Sequence, residues 1–224
     1  MSDSIHMTPI GVVESCYGEK FGTPRQSRLV ESAYGKILFK DEVDPEAIRG
    51  LEEFSHLWIV FLFDQVAEED VRWLVRPPRL GGNEKKGVFA TRSPFRPNRI
   101  GLSLVKLEGV GPGVLEISGL DLVTGTPVLD VKPYLPYVES VPDALGGFAE
   151  KAPERLPVKV SDELRGRVTL EEFELISASL AVDPRPAYHD DRDRVYGCLF
   201  VGYDVKWKVL DDCILLVDIC PASA

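Results

Sequence analysis

Nine residues, Ser55 to Phe63 (SHLWIVFLF), hold only two polar side chains, and most of the apolar ones are aromatic or β-branched. A run of this kind is far too short to span a membrane and reads as a central strand buried on both faces. Other strand-like runs surround it in the chain: Met7–Ser15, Tyr34–Lys40, Ile100–Leu107, Val114–Ser118 and two short runs flanking the turn Thr124–Pro127. Glycine and proline turns separate them, Gly111-Pro112-Gly113 among others, and Asp44-Pro45-Glu46 opens a short helical turn. No helical pattern alternates with these strands, which excludes a doubly wound parallel sheet. The glycines between Gly109 and Gly113 have no helix behind them, so they do not form a dinucleotide fingerprint. Short strands at regular spacing imply an antiparallel barrel or sandwich.

The pattern changes near residue 140. Residues 1–140 read as one β domain, 141–160 as a loose proline-bearing linker, and 161–224 as a small α+β domain. In the last part Leu164, Val168, Phe173, Ile176 and Leu180 have helical spacing, broken in two, with Thr169 and Glu172 placed as a capping box for the second piece. Asp183-Pro-Arg-Pro-Ala-Tyr188 is a rigid turn. After the charged run His189–Arg194, strands are expected over Val195–Tyr203 and Cys213–Ile219.

Charge is distributed unevenly. The chain carries a net −10, yet from Arg72 to Lys106 nine cations stand against Glu84 alone, a local +8 that leaves −18 for the remainder. Within that segment, Gly87–Ser103 (GVFATRSPFRPNRIGLS) sets Arg92, Arg96 and Arg99 around Pro94 and Pro97. Proline restricts the backbone, so an arginine beside it loses less freedom on meeting a phosphate or carboxylate. Thr23-Pro24-Arg25-Gln26 repeats the arrangement and adds an amide that both donates and accepts. An acidic chain with a sequence pI near 4.9 repels polyanions at long range, so the cationic patch implies focused rather than general nucleic-acid binding.

No apolar run reaches the roughly 18 residues of a membrane span, and the first ten residues lack a signal-peptide pattern. A cytoplasmic protein without membrane attachment is expected. Cys16, Cys198, Cys213 and Cys220 are scattered and only three histidines are present, which supports neither a metal site nor a disulfide framework.

Several ordered motifs resemble the TrmO (YaeB, TsaA-like) family of tRNA methyltransferases. They are Ile10-Gly-Val, Lys20-Phe-Gly-Thr-Pro-Arg-Gln26, Phe54-Ser-His-Leu-Trp-Ile59, Arg76-Pro-Pro-Arg-Leu-Gly-Gly-Asn83, Gly87 to Asn98, Ile100-Gly-Leu-Ser103 and Gly125-Thr-Pro-Val-Leu-Asp-Val-Lys-Pro-Tyr134. Asp183 to Tyr188 and Asp204-Val-Lys-Trp207 match bacterial members with a C-terminal domain. The resemblance implies a mainly β fold: an antiparallel β-barrel methyltransferase domain with a small C-terminal α+β domain, usually a homodimer. It also implies S-adenosylmethionine as cofactor and, as substrate, N6 of the threonylcarbamoyladenosine beside the anticodon of threonine tRNA. Arg99 departs from the family pattern, which often has proline or alanine there.

Matching the motifs residue by residue, the resemblance assigns cofactor contacts to Pro24, Arg25, Gln26, His56, Leu57, Arg92 and Leu102, and to the turn residues Leu122, Thr124, Gly125, Thr126 and Pro127. The forked donors of Arg92 suit a carboxylate. The N6 nitrogen is a poor nucleophile because its lone pair is delocalised, so a group must orient it and accept its proton. Asp130 offers the acceptor and Tyr134 an aromatic face for a flipped base. Arg96, Arg99, Lys85, Lys86 and Arg185 are expected to meet anticodon-loop phosphates and the threonyl carboxylate. A non-catalytic barrel that binds S-adenosylmethionine or RNA as a sensor is the alternative that these arginine loops also serve.

Overall fold

The computed structural model describes residues 5–77, 84–185 and 191–222. Strands are numbered along the chain: β1 (Gly11–Ser15), β2 (Tyr34–Phe39), β3 (His56–Leu62), β4 (Leu74–Val75), β5 (Lys86–Gly87), β6 (Ile100–Gly111), β7 (Val114–Ser118) and β8 (Pro127–Pro133) make up the first part. The apolar run at β3 is flanked on one side by β6 and on the other by β8, both antiparallel. Continuing outward, the order β1-β2-β7-β6-β3-β8 closes on itself through the antiparallel pair Gly11↔Val128. Closure leaves none of these six strands as an open edge, which is how an all-β unit avoids edge-to-edge association. The barrel alternative of the sequence reading is therefore the one adopted.

Alternation fills the interior. Val13, Ile37, Leu57, Ile59, Phe61, Val105, Leu115, Ile117 and Val128 all point inward and are buried. Each large apolar side chain so buried contributes about 1.5–3 kcal/mol. Phe61 needs a glycine opposite: a Cβ on Gly101, its partner in β6, would lie 2.1 Å from the ring. The turn before β8 likewise needs Gly125, whose φ of 88° is left-handed.

The second part contains α1 (Pro136–Glu139), β9 (Val158–Lys159), α2 (Asp162–Arg165), α3 (Leu170–Ala181), β10 (Tyr196–Phe200), β11 (Tyr203–Val209) and β12 (Ile214–Pro221). The sheet order is β10-β11-β12-β9, with β9 parallel to β12. Thus Val158 and Lys159, inside the stretch read as linker, belong to a sheet. Helix α3 starts with the expected capping box, Thr169 accepting from the Glu172 amide and Glu172 accepting from the Thr169 amide. The expected single strand Val195–Tyr203 is instead broken at Val201 and Gly202, both at positive φ, and returns as β11. Valine seldom adopts that conformation, so Gly202 is the one sequence signal of the turn.

The long β1–β2 connection lies between the two parts. Tyr17 pairs with Phe200, and its hydroxyl meets the Ser179 hydroxyl of α3 at 2.9 Å, both groups buried. Phe21 stacks on Trp207 with centroids 5.7 Å apart. The Leu199 amide donates to Glu19 (2.8 Å), and Arg155 donates to the Leu29 carbonyl (2.6 Å).

Breaking the Tyr17–Ser179 bond leaves a buried hydroxyl unpartnered, at a cost of about 1–3 kcal/mol. Ser179→Ala is expected to lower the urea midpoint accordingly at constant slope. The double variant with Tyr17→Phe should recover part of the loss, because neither partner then remains unsatisfied.

Candidate active site

The braced β1–β2 loop, the β3–β4 connection, the β4–β5 ribbon, the Arg-Pro loop and the turn before β8 enclose a cavity of about 1850 Å³. Its lining brings together Pro24, Arg25, Gln26, Arg92, Leu102, Leu122, Thr126, Arg96 and Lys85 from the sequence-derived set. Arg92 donates to the Gln26 side-chain carbonyl at 2.6 Å, and Gln26 donates to the Arg25 carbonyl at 2.5 Å. Arg25 in turn donates to the Arg185 carbonyl at 2.9 Å, which ties the loop to the second part of the chain. Arg185 itself pairs with buried Asp183 at 3.0 Å. Phe61, Leu62 and Phe63, at the end of β3, supply an apolar wall.

The other sequence-derived residues have different surroundings. Thr124 does not line the cavity; its hydroxyl exchanges hydrogen bonds with the Ser15 backbone, each 3.0 Å, while the Gly125 amide donates to Val13. Pro127 begins β8 against Val12, and Leu57 is fully buried in the barrel. Arg99 donates to the Val66 carbonyl at 2.8 Å and to Glu68 at 2.5 Å, bracing the β3–β4 connection. Its φ of 48° is one that proline, with φ fixed near −65°, does not adopt. Lys86 pairs with Glu84 at 2.6 Å. Arg79 and Gly81 to Asn83, and Tyr188 at the end of the second arginine turn, lie outside the described residues.

Asp130, His56 and Tyr134 stand on the outer face of the barrel. Val60 faces Leu102 on one side and Asp130 on the other. Cross-strand neighbours share a face, so these three form one row, with Leu102 at the cavity rim and Asp130 roughly 10 Å from it. Trp58 and then His56 follow along β3, and the Tyr134 ring lies 6.1 Å from Trp58 and 6.4 Å from His56. Asp130 is paired with Lys132 at 2.7 Å. Burial, with help from Arg28 and Lys106, lowers the His56 pKa and favours a neutral imidazole.

One carboxylate was not singled out by the sequence reading. Asp121 lines the cavity and accepts hydrogen bonds from the Ser103 hydroxyl and the Ser27 amide, and Arg92 lines the same cavity. Burial raises its pKa, and hydrogen bonds from Ser103, its own backbone and Ser27, together with Arg92, offset part of that rise. The signal was a serine in the inward register of β6, between Gly101 and Val105, where an apolar residue would otherwise fill the barrel. Cys16, by contrast, is a buried thiol pushed up to about 11 and offers no nucleophile. Among the described residues no cluster of His, Cys, Asp and Glu could hold a metal ion, and no helix is long and apolar enough to cross a membrane.

Residues 12–140 match the tRNA-methyltransferase O N-terminal domain, and residues 153–222 match the TrmO C-terminal domain. The chain belongs to the TrmO family. Among its TrmO-family relatives is the Escherichia coli tRNA (adenine(37)-N6)-methyltransferase, 46% identical over 222 residues, covering 93% of this chain and 94% of the relative. A Pseudomonas aeruginosa protein described as a candidate S-adenosylmethionine-dependent methyltransferase is 47% identical over 210 residues, 90% of this chain and 91% of its own. The crystal structure of TrmO from Pseudomonas aeruginosa superposes with a TM-score of 0.82 at 38% identity, covering 99% of both chains.

A carboxyl whose pKa is raised by folding costs stability once it ionises. Below the unfolded pKa of about 3.9 both states are protonated and nothing is lost. As pH rises through the folded pKa, the penalty becomes complete. Asp121→Asn should therefore melt at a higher temperature than wild type at neutral and alkaline pH, with the gap closing at the acid end of a calorimetric pH series.

Proposed function

We propose that this TrmO-family chain methylates N6 of the adenine beside the anticodon in tRNA, using S-adenosylmethionine, and that the acceptor is threonylcarbamoyladenosine in threonine tRNA. The observation that supports this reading most is that one cavity is lined by a forked cation, Arg92, a half-buried carboxyl, Asp121, an apolar wall and a cationic rim. A cation and a carboxyl lining one cavity suit the zwitterionic amino-acid end of the cofactor: Arg92 for its carboxylate and Asp121 for its ammonium. Leu102, Leu122 and Phe61 offer the slot for its adenine. When bound, the cofactor supplies a methyl group already activated on a sulfonium, so the protein's task is mainly alignment and exclusion of water.

In this reading the acceptor base extends from the cavity rim at Leu102 toward Asp130. Asp130 accepts the hydrogen bond that orients N6–H and takes its proton, and Tyr134 and Trp58 offer aromatic faces to the base. The neutral His56 adds a polar contact on the same face. The protein acts as a cytoplasmic homodimer. Arg96, Lys85 and Arg185 meet phosphates or the threonyl carboxylate.

Transfer of labelled methyl into tRNA carrying threonylcarbamoyladenosine, and not into tRNA lacking it, is the expected result; label in neither pool with cofactor bound would favour the sensor alternative. Arg92→Ala should abolish cofactor binding by calorimetry while the circular dichroism spectrum stays unchanged. Asp130→Asn should bind cofactor normally and turn over at least tenfold more slowly; wild-type turnover would remove Asp130 from the reaction.

A further inference from the structure

Trp73 and Phe89 are large aromatic side chains, 65% and 71% exposed, and neither is among the residues assigned to the cofactor or the acceptor base. They are brought together by the short ribbon β4–β5, in which Leu74 faces Gly87 and Val75 faces Lys86, and the Val88 amide donates to the Trp73 carbonyl at 3.0 Å. The rings meet edge to face, 6.4 Å between centroids at 74°. In such a pair, at most one face of one ring is covered by the other, so flat apolar surface remains open. Leu74 beside them is also exposed, and both Leu74 and Phe89 line the cavity. The pair therefore stands at the mouth of the cavity.

The surrounding charge indicates what covers these rings. Arg76 and Lys85 flank the same ribbon and line the cavity, as do Arg92 and Arg96. Neighbouring cations are already neutralised: Arg72 by Asp70 at 2.8 Å, Lys86 by Glu84. Open aromatic faces set among cations are the arrangement that holds single-stranded nucleic acid, where each base stacks and each phosphate is neutralised. A two-fold contact between copies of this chain across the rim would set these cations against themselves.

We infer that Trp73 and Phe89 form a stacking platform for an unpaired RNA base next to the one that enters the cavity. This rests on the reading of the chain as a tRNA-modifying enzyme. A base drawn into the cavity loses its neighbour in the stack, and the platform replaces that lost stacking for the base left outside. The platform is indifferent to which base it holds, since every base has a flat face.

The test is equilibrium binding of a short RNA hairpin with an unpaired loop, read without any methyl transfer. Trp73→Ala and Phe89→Ala should each weaken binding roughly tenfold. Trp73→Phe and Phe89→Tyr should retain it, whereas Trp73→Leu, apolar but not flat, should not. Removing the base of the loop nucleotide that neighbours the target should weaken wild-type binding and leave Trp73→Ala unaffected. Cofactor affinity should not change in the Trp73 variants, because Trp73 does not line the cavity. Wild-type hairpin binding in both alanine variants overturns the platform, as does loss of a dimer in sedimentation with RNA binding intact. Hairpin binding that depends on both rings, in a protein that transfers no methyl group, would support the platform and count against the proposed reaction alone.

Discussion

The docking of the β1–β2 connection against the second part of the chain is the contact on which the site depends. A loop of this length, carrying Pro24, Arg25 and Gln26, has only an isolated bridge, Tyr17 with Phe200, in place of a strand ladder. It is fixed because Phe21 stacks on Trp207, Tyr17 shares a buried hydrogen bond with Ser179, and the Glu19 carboxylate caps the Leu199 amide. Aromatic burial supplies the energy, and the polar contacts set the register. Arg25 reaches the Arg185 carbonyl only because that register is kept. The C-terminal part of the chain thus braces, from behind, the loop that lines the cavity.

Within the cavity, the fold tolerates a local conflict. Ser103 and Asp121 occupy places where apolar residues would be more favourable, and the carboxyl is pushed toward its neutral form by its surroundings. Buried polar groups that cost stability and are fully hydrogen-bonded concentrate where a ligand needs them. Asp121 fits that description more closely than any of the exposed ion pairs, such as Lys36 with Glu116, which lie in water and contribute little.

Much of this was legible in the chain. The apolar run at β3 and the glycine and proline turns specified short antiparallel strands, and the capping box located α3 to the residue. The cation cluster identified the loop that lines the cavity. What stayed hidden depended on contacts distant in sequence. Arg99 looked equivalent to Arg92 and Arg96, yet it turns toward Val66 and Glu68, because only the fold places that carbonyl within reach. Asp121 carries no signal of its own in the sequence; only the fold brings Ser103 of β6 beside it. The Val201–Gly202 turn is signalled by Gly202 alone, because a valine occupies a left-handed position that its type seldom adopts.

The arginines of the Arg-Pro loop also determine how a ligand would be met. Arg99 uses its donors on Val66 and Glu68, and Arg96 lies against the carbonyls of Thr91 and Ser93. With prolines limiting the backbone as well, the wall they form is assembled before anything enters. An arriving anion then has little segmental freedom to quench, so more of its contact energy remains as net affinity. Tight complexes of this kind differ from looser ones mainly in how slowly they come apart, and residence time becomes a property of the empty loop's rigidity.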